Sequence, residues 1–323
     1  MNHPIRMALA CVLFGASLAH GATTDNYPSK PVTIVVPQAP GGTNDIVGRI
    51  IGAALSQSTG QQFIVDNRPG AGGNIGSQYA ARSNPDGYTV LLTISSTQAI
   101  NPALYKKIPF DPVKDFEPVA LVASVPNVLV ANPAFPANNM KELIALAKSK
   151  PNEYRFGSAG NGSLNHLLGE MLNNMAGISL EHVPYKGVGP ALNDLLGNQI
   201  PLAFASLPSV LSHVKAGKLK ALGVSSAKRS SAAPDIPAIA ETIPNYNGDL
   251  WVALYAVHGT PKDVLAKLTN AVDKVLNDKA VQEKLKAQGA DLPRATPQQL
   301  SGMLKTDMDK WAKIVKTSGA TVD

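Results

Sequence analysis

The alternation of short apolar runs with helical patterns is the feature that most constrains this chain. Residues 31–36 form a continuous apolar run of the kind found in strands that are buried on both faces. A Pro/Gly turn follows, and apolar residues then recur at helical spacing over residues 46–55. Further strands are predicted at 63–65 and 89–93, with a helix at 77–82 between them. This order predicts parallel βαβ units.

A second series of strands and helices begins after about residue 124, which predicts two α/β lobes with a cleft between them. The predicted elements are helices at 140–148 and 164–175, strands at 155–157 and 219–224, and helices capped at Thr260-Pro261 and Thr296-Pro297. Extended segments at 120–131 and 251–258 flank the series and are expected to cross between the lobes. The expected boundaries are 25–123 plus 253–323 for the first lobe and 124–252 for the second. A chain of 323 residues has room for two such lobes.

Residues 1–22 predict a secretory signal peptide. A short basic region precedes an apolar, small-residue stretch from Met7 to Ala19, which is too short to span a bilayer. Cleavage after Ala19, Gly21 or Ala22 fits the pattern equally. The single cysteine, Cys11, lies in this stretch. The exported chain therefore has no thiol for a disulfide, a nucleophile or a metal ligand.

Composition and spacing exclude several classes of function. The chain is 44% hydrophobic and 16% charged, which excludes a disordered chain. Basic residues are scattered and aromatic residues make up only 5%, so no nucleic-acid partner is expected, whereas the net charge of +6 suits a small anion. The histidines show no metal-ligand spacing, and no Ser/His/Asp set is suggested by spacing. We predict no metal, no cofactor and no catalytic residue.

The loop at residues 37–45 leaves a buried strand at its carboxyl end, the edge at which open α/β sheets bind ligands. Pro40, Gly41, Gly42 and Thr43 are the candidate binding residues here. The glycines allow close approach of the backbone, and free N–H groups at a helix start favour anions. The alternative is a plain turn capped by Thr43 or Asn44, and the two interpretations are compatible.

The loop at residues 157–166 presents the second group of candidate donors. Its candidates are Ser158, Gly160, Asn161, Gly162, Ser163 and His166. Glycine N–H groups and serine hydroxyls between a strand and a helix suit a carboxylate or phosphate. His166 is interpreted first as a donor to the backbone, with ligand contact as the alternative.

Two further segments complete the candidates for the first lobe. Ser95, Ser96 and Thr97 end a predicted strand in hydroxyls on the same edge as the first loop, with a helix cap as the alternative. The glycine-rich run at 70–76 fails the dinucleotide fingerprint, because Ile75 stands where a glycine is required. We interpret this run as a tight turn with, at most, a minor role in lining the cleft.

Seven motifs in order resemble the Bug (TctC-like) receptors of tripartite tricarboxylate transporters. The motifs are Pro40-Gly41-Gly42-x-x-Asp45-x-x-x-Arg49, Asn67-Arg68-Pro69-Gly70-Ala71-Gly72-Gly73, Pro85-Asp86-Gly87-Tyr88, Asn101-Pro102, the Gly157–His166 loop, Tyr185-Lys186-Gly187-x-x-Pro190-Ala191 and Thr260-Pro261. The resemblance implies a type II periplasmic-binding-protein fold whose two α/β lobes close over a carboxylate. It implies a monomeric solute receptor in the periplasm that delivers a di- or tricarboxylate or an aromatic acid to the permease subunits of such a transporter. A secreted enzyme acting on a small acid and a partner of a membrane sensor kinase are the alternatives.

One position departs from the pattern that this resemblance leads us to expect. Many relatives carry an aspartate where this chain has Ala205. If that acid contacts ligands, its loss disfavours an amino-acid ligand, because an ammonium group would lack a partner. An Ala205→Asp variant that leaves the preference for acids over amino acids unchanged would contradict this hypothesis.

Overall fold

The computed structural model describes residues 26–322, and its strands form two five-stranded sheets. The first sheet has the order β2-β1-β3-β10-β4 and the second the order β7-β6-β8-β5-β9. The strands are β1 (Val32–Val36), β2 (Phe63–Asn67), β3 (Thr89–Ile94), β4 (Phe116–Val125), β5 (Asn127–Ala131), β6 (Arg155–Ser158), β7 (Glu181–Pro184), β8 (Leu202–Ser206), β9 (Lys220–Val224) and β10 (Leu250–Val257). The predicted signal peptide lies outside the described residues.

Helices follow the strands in both sheets. They are α1 (Thr43–Thr59), α2 (Asn74–Ala81), α3 (Asn101–Leu104), α4 (Met140–Ser149), α5 (Leu164–Ala176), α6 (Val188–Leu196), α7 (Leu207–Lys215), α8 (Lys262–Leu276), α9 (Lys279–Ala287) and α10 (Pro297–Ser318). A 3-10 turn at Ala71–Gly73 leads from β2 into α2, and a π-helical turn at Ser96–Ile100 leads from β3 into α3. The prediction of two α/β lobes is confirmed.

The apolar pattern explains the place of β1 inside the first sheet. This strand pairs in parallel with both β2 and β3, and four of its five residues are buried. Helix α1 begins after Gly42 and ends at Gly60, whose φ of 75° is the left-handed conformation that favours glycine. β10 runs antiparallel between β3 and β4, and the sheet is therefore mixed.

The chain passes from the first sheet to the second at Pro126, which alone separates β4 from β5. The crossing predicted within residues 120–131 is therefore confirmed. The crossing predicted at 251–258 lies earlier in the chain, because β10 pairs within the first sheet along its whole length. The return takes place between Val224 and Leu250. The lobe boundaries given above stay predictions.

The two Thr-Pro pairs have different roles at the carboxyl-terminal helices. Thr296 accepts from the Gln299 N–H at 3.2 Å and its own N–H donates to Gln299 Oε1 at 2.8 Å, which confirms the predicted cap of α10. The hydroxyl of Thr260 instead donates to the Val257 carbonyl at 2.7 Å, and α8 begins after Pro261. The predicted cap at Thr260 is therefore wrong.

One large apolar cluster runs through both lobes. It joins Tyr255 of the first sheet, Phe156 of the second, Leu168 on α5 and Trp311 on α10. Helices α8 and α9 return to the first lobe as predicted, where both pack on α1. Helix α10 packs against α3 and β4 of the first lobe and also against α5 of the second. The last helix thus connects the lobes.

Candidate functional site

A cavity of about 410 Å³ lies between the lobes, beside the ends of β1 and β3. Gln38 follows β1, Ser96 follows β3, and residues 161–163 reach the cavity from the loop after β6. The lobes meet at this point, because a Cβ on Gly162 would lie 2.6 Å from Leu104 Cδ2. The other lining residues are Pro37, Ala39, Pro69, Gly70, Gly72, Gly73, Ile94, Asn101, Tyr105 and Val322.

The lining of this cleft cavity is uncharged. Among the described residues that line it, none is acidic or basic. Ile94 and Leu104 supply apolar surface, whereas Ser96 and Asn161 supply a hydroxyl and an amide. Apolar walls with a few polar groups are typical of small-molecule sites, and neutral donors meet an anion without a buried cation.

Asp45 organises the loop between β1 and α1. Its carboxylate accepts from the Gly41 N–H at 2.9 Å, from Asn67 Nδ2 at 3.0 Å and from Arg49 Nε at 3.1 Å. Burial acts to raise the pKa of Asp45, but the hydrogen bonds from Arg49, Gly41 and Asn67 outweigh it and hold the pKa below its usual value. This network gives the Gly-Gly-x-x-Asp-x-x-x-Arg motif a structural explanation.

A second network joins this loop to the glycine-rich turn and to the end of β3. Gln38 Nε2 donates to Thr97 Oγ1 at 3.0 Å, and the Thr97 hydroxyl donates to the Gly72 carbonyl at 2.9 Å. A Cβ on Gly73 would lie 2.5 Å from Thr97 Oγ1, and its φ of 97° also requires glycine. The interpretation of the run at 70–76 as a tight turn is confirmed, and the turn also lines the cavity.

The loop after β6 is held by its own serines. Ser158 Oγ donates to the Gly160 carbonyl at 3.2 Å and accepts from the Gly160 N–H at 3.0 Å. Ser163 Oγ donates to the same carbonyl at 2.7 Å and caps α5 by accepting from the His166 N–H at 3.3 Å. Both hydroxyls therefore fix the shape of the loop, whose residues 161–163 line the cavity.

Two stacked histidines support this loop from beneath. The rings of His166 and His182 lie 3.8 Å apart at 14°, and His182 Nε2 lies 2.6 Å from Ser158 Oγ. Burial, with the charge of His166 as a second cause, lowers the pKa of His182 to about 4. His166 Nδ1 accepts from the Gly162 N–H at 3.1 Å. The interpretation of His166 as a donor to the backbone is thus wrong in direction, since its ring is an acceptor.

The predicted binding residues fall into three groups. Ser96, Asn161, Gly162 and Ser163 line the cleft cavity. Pro40, Gly41, Gly42 and Thr43 lie beside it at the start of α1, where the first three are exposed. Ser95, Thr97, Ser158, Gly160 and His166 lie behind the lining and hold the loops through hydrogen bonds. Contact with a ligand stays a prediction for each of them.

Ala205 lies apart from these groups. It is on β8, fully buried in the apolar cluster of the second lobe beside Val128 and Leu207. It is not among the residues that line the cleft cavity. An aspartate at this position would place a carboxylate among apolar side chains, which costs free energy unless it finds partners. The effect of such an acid on ligand preference stays a prediction.

Gln38, Asn67 and Asn101 are the residues that the sequence did not single out as site residues. Gln38 and Asn101 line the cavity, and Asn67 holds the first loop. Asn67 and Asn101 belong to motifs that carry the family resemblance, so the sequence did contain a signal that could have identified them. Gln38 stands in the loop directly after β1, and its side-chain bonds to Thr97 and Asn44 are visible only in the folded chain.

The comparisons with known proteins decide the family. Residues 47–320 match the family described as the tripartite tricarboxylate transporter family receptor, TctC. This chain belongs to the TctC family. Protein BugT of Bordetella pertussis is 38% identical over 307 residues, which cover 94% of each chain. TctC proteins are binding proteins and not enzymes.

Solved TctC-like structures share the fold of both lobes. Rpa4515 of R. palustris with adipate is 35% identical, with a TM-score of 0.77 over 91% of this chain and 99% of that one. MatC of Rhodopseudomonas palustris with bound malate is 32% identical, with a TM-score of 0.72 over 90% of this chain and 100% of that one. The predicted periplasmic-binding-protein fold is confirmed.

Between residues 26 and 322, no helix is both long and apolar enough to cross a membrane. Within the same residues, no group of three or more histidine, cysteine, aspartate or glutamate side chains could hold a metal ion.

Proposed function

We propose that this TctC receptor captures a small dicarboxylate or aromatic carboxylate between its lobes in the periplasm. It delivers the ligand to the permease subunits of a tripartite tricarboxylate-type transporter. The observation that carries the proposal is the uncharged cavity where loops of both lobes meet. The relatives with adipate and with malate support it, since both ligands are dicarboxylates.

The contacts of the cavity suit an anion with no ammonium group. The side chains of Ser96 and Asn161 have no hydrogen bond to the described part of the chain, so both are available to a carboxylate. They approach from different lobes. A ligand that bonds to both stabilises the closed arrangement more than the open one, which couples binding to lobe closure.

The direct experiment is thermal melting of protein that has been unfolded and refolded to remove carried-over ligand. Adipate, malate and benzoate are tested beside adipamide, a neutral analogue of adipate. A carboxylate present at about 100 times its Kd adds about 2.7 kcal/mol of stability, whereas adipamide adds little. Equal shifts with adipate and adipamide, or no shift with any acid in a broader panel, would contradict the proposal.

Two variants test the cavity itself. Ser96→Ala and Asn161→Ala each remove one donor, and we expect each to weaken carboxylate binding about tenfold, because hydrogen bonds to charged groups are the stronger ones. Isothermal titration measures the change. Asn270→Ala, at an exposed position on α8, is the matched control. Unchanged affinity in both cavity variants would place the ligand elsewhere.

A further inference from the structure

A larger cavity lies at the connections between the lobes, and it shares no lining residue with the cleft cavity. We call it the hinge cavity; its volume is about 670 Å³, within the usual range for small-molecule sites. Its walls come from β4 and β10 of the first sheet, the segment after β9, and helices α9 and α10. Elements that join the two lobes thus surround it.

Part of the hinge cavity is apolar. Leu121 and Trp251 are almost completely buried, at 6% and 4% exposure, and present side chains to it from neighbouring strands. Met303 on α10 and the pair Leu292-Pro293 extend this surface. Trp251 is fixed in place, because its Nε1 donates to Asp307 Oδ2 at 2.8 Å. A flat or branched apolar group therefore has a rigid indole edge to pack against.

The acids of the hinge cavity already have partners. Asp249 accepts from Ser124 Oγ at 2.9 Å and from Ser225 Oγ at 3.0 Å. Asp307 accepts from Trp251 and from Lys310 Nζ at 2.7 Å. The remaining acid, Asp291, accepts from the Ser231 N–H at 2.8 Å and from the Ser231 hydroxyl at 2.6 Å.

Several hydrogen-bond donors of the hinge cavity lack a partner in the described part of the chain. Lys228 and Lys286 line it, are exposed, and have no acidic partner among the described residues. The hydroxyl of Ser226, also in the lining, is buried and has no hydrogen-bond partner in the described chain. The lining as a whole has five basic and three acidic side chains. The unpaired groups of this lining can therefore bind an anion.

We propose that the hinge cavity is a second binding site, specific for an organic anion with an aromatic or branched apolar body. The body packs on Trp251 and Leu121, the anionic group lies between Lys228 and Lys286, and Ser226 donates to it. This site does not depend on the proposed function of the cleft, since the two cavities have separate linings.

The two tryptophans of the chain allow a direct test. The probe is 2-naphthoate, and the signal is quenching of tryptophan fluorescence. We expect saturable quenching that persists in Trp311→Phe and disappears in Trp251→Phe, because only Trp251 lines the cavity. Circular dichroism confirms that each variant is folded. Quenching that persists in Trp251→Phe would overturn the proposal.

Charge reversal tests the anion specificity. The double variant Lys228→Glu, Lys286→Glu is expected to raise the Kd for 2-naphthoate at least about tenfold. The matched control is Lys279→Glu, Lys284→Glu, which reverses two exposed charges on α9 that do not line the cavity. Equilibrium dialysis with 2-naphthamide, the neutral analogue, completes the test.

Three further results would overturn the assignment. They are unchanged affinity in the lysine double variant, equal binding of acid and amide, and a loss of quenching in Asn161→Ala, which would place the probe in the cleft. The melting experiment with adipate fails or succeeds independently of these results, so the two proposals are distinguishable.

Discussion

The environment of His182 makes the second-lobe loop sensitive to acid. Its pKa is lowered to about 4 from 6.5, so the unfolded chain binds this proton more readily than the folded chain between those values. The contribution of His182 to the free energy of unfolding is therefore fully present above pH 6.5, and it is lost as the pH falls towards 4. Acid is expected to loosen the loop that Ser158 holds.

His182→Gln tests this expectation. We predict that the free energy of unfolding of the native protein falls between about pH 7 and about pH 5, and that it falls less in the variant. Urea unfolding at the two pH values measures the difference. His213→Gln, on α7, is the control and keeps the full fall. A variant with the same fall as the native protein would show that His182 does not carry the effect.

Asp249 has the opposite pH dependence. Burial raises its pKa from 3.8 to about 6 against the hydrogen bonds of Ser124 and Ser225, which lower it. The folded chain therefore binds this proton more readily than the unfolded chain. The contribution of the protonated Asp249 to the free energy of unfolding is fully present below pH 3.8, and it is lost as the pH rises through about 6.

Asp249→Asn is expected to stabilise the protein at about pH 7.5, because the amide keeps hydrogen-bonding capacity without a buried charge. The gain is expected to shrink below about pH 6. Chemical denaturation at both pH values measures it, with the exposed Asp273→Asn on α8 as the comparison. A less stable Asp249→Asn protein at pH 7.5 would show that the carboxylate charge is required between the lobes.

At the scale of elements, two helical glycines have opposite roles. A Cβ on Gly169 of α5 would lie 2.1 Å from the ring of Phe156 on β6, so this glycine permits close contact of helix and strand. A Cβ on Gly302 of α10 would meet nothing within 4 Å. Glycine is thus required for packing in α5, whereas in α10 it only destabilises the helix relative to alanine.

Gly169→Ala is expected to destabilise the protein by about 1–3 kcal/mol through overpacking. Gly302→Ala is the matched variant and is expected to stabilise it by about 0.5–1 kcal/mol, because alanine favours the helix. Chemical denaturation of both variants provides the measurement. A stabilising Gly169→Ala would show that Phe156 shifts freely and that the close contact is not a constraint.

The sequence predicts the strands and helices well, because each carries its own apolar period. It places the crossing at 251–258 wrongly, since an apolar run looks the same in the middle of a sheet as between lobes. The sequence also does not predict the roles of the two serines in the loop after β6. Ser158 and Ser163 read as free donors, and only the folded loop shows both bonded to the Gly160 carbonyl.

At the scale of the whole molecule, the shared apolar cluster predicts cooperative unfolding. Trp311 on α10 and Tyr255 of the first sheet belong to the same cluster as Phe156 of the second. Neither lobe keeps a complete core when the other unfolds. We therefore expect a single calorimetric transition with equal calorimetric and van't Hoff enthalpies. Two resolved transitions would show that the lobes unfold separately.

The position of Val322 affects how the protein is best prepared for binding measurements. Its Cγ1 would lie 3.1 Å from a Cβ on Gly162, and it lines the cleft cavity. An affinity tag fused to the carboxyl end would therefore begin at the mouth of the cleft and compete with the ligand for space. A tag placed just ahead of Asn26 avoids this interference, since Asn26 lies beside Lys267 on the first lobe. An environment-sensitive dye at the carboxyl end, by contrast, would report lobe closure directly.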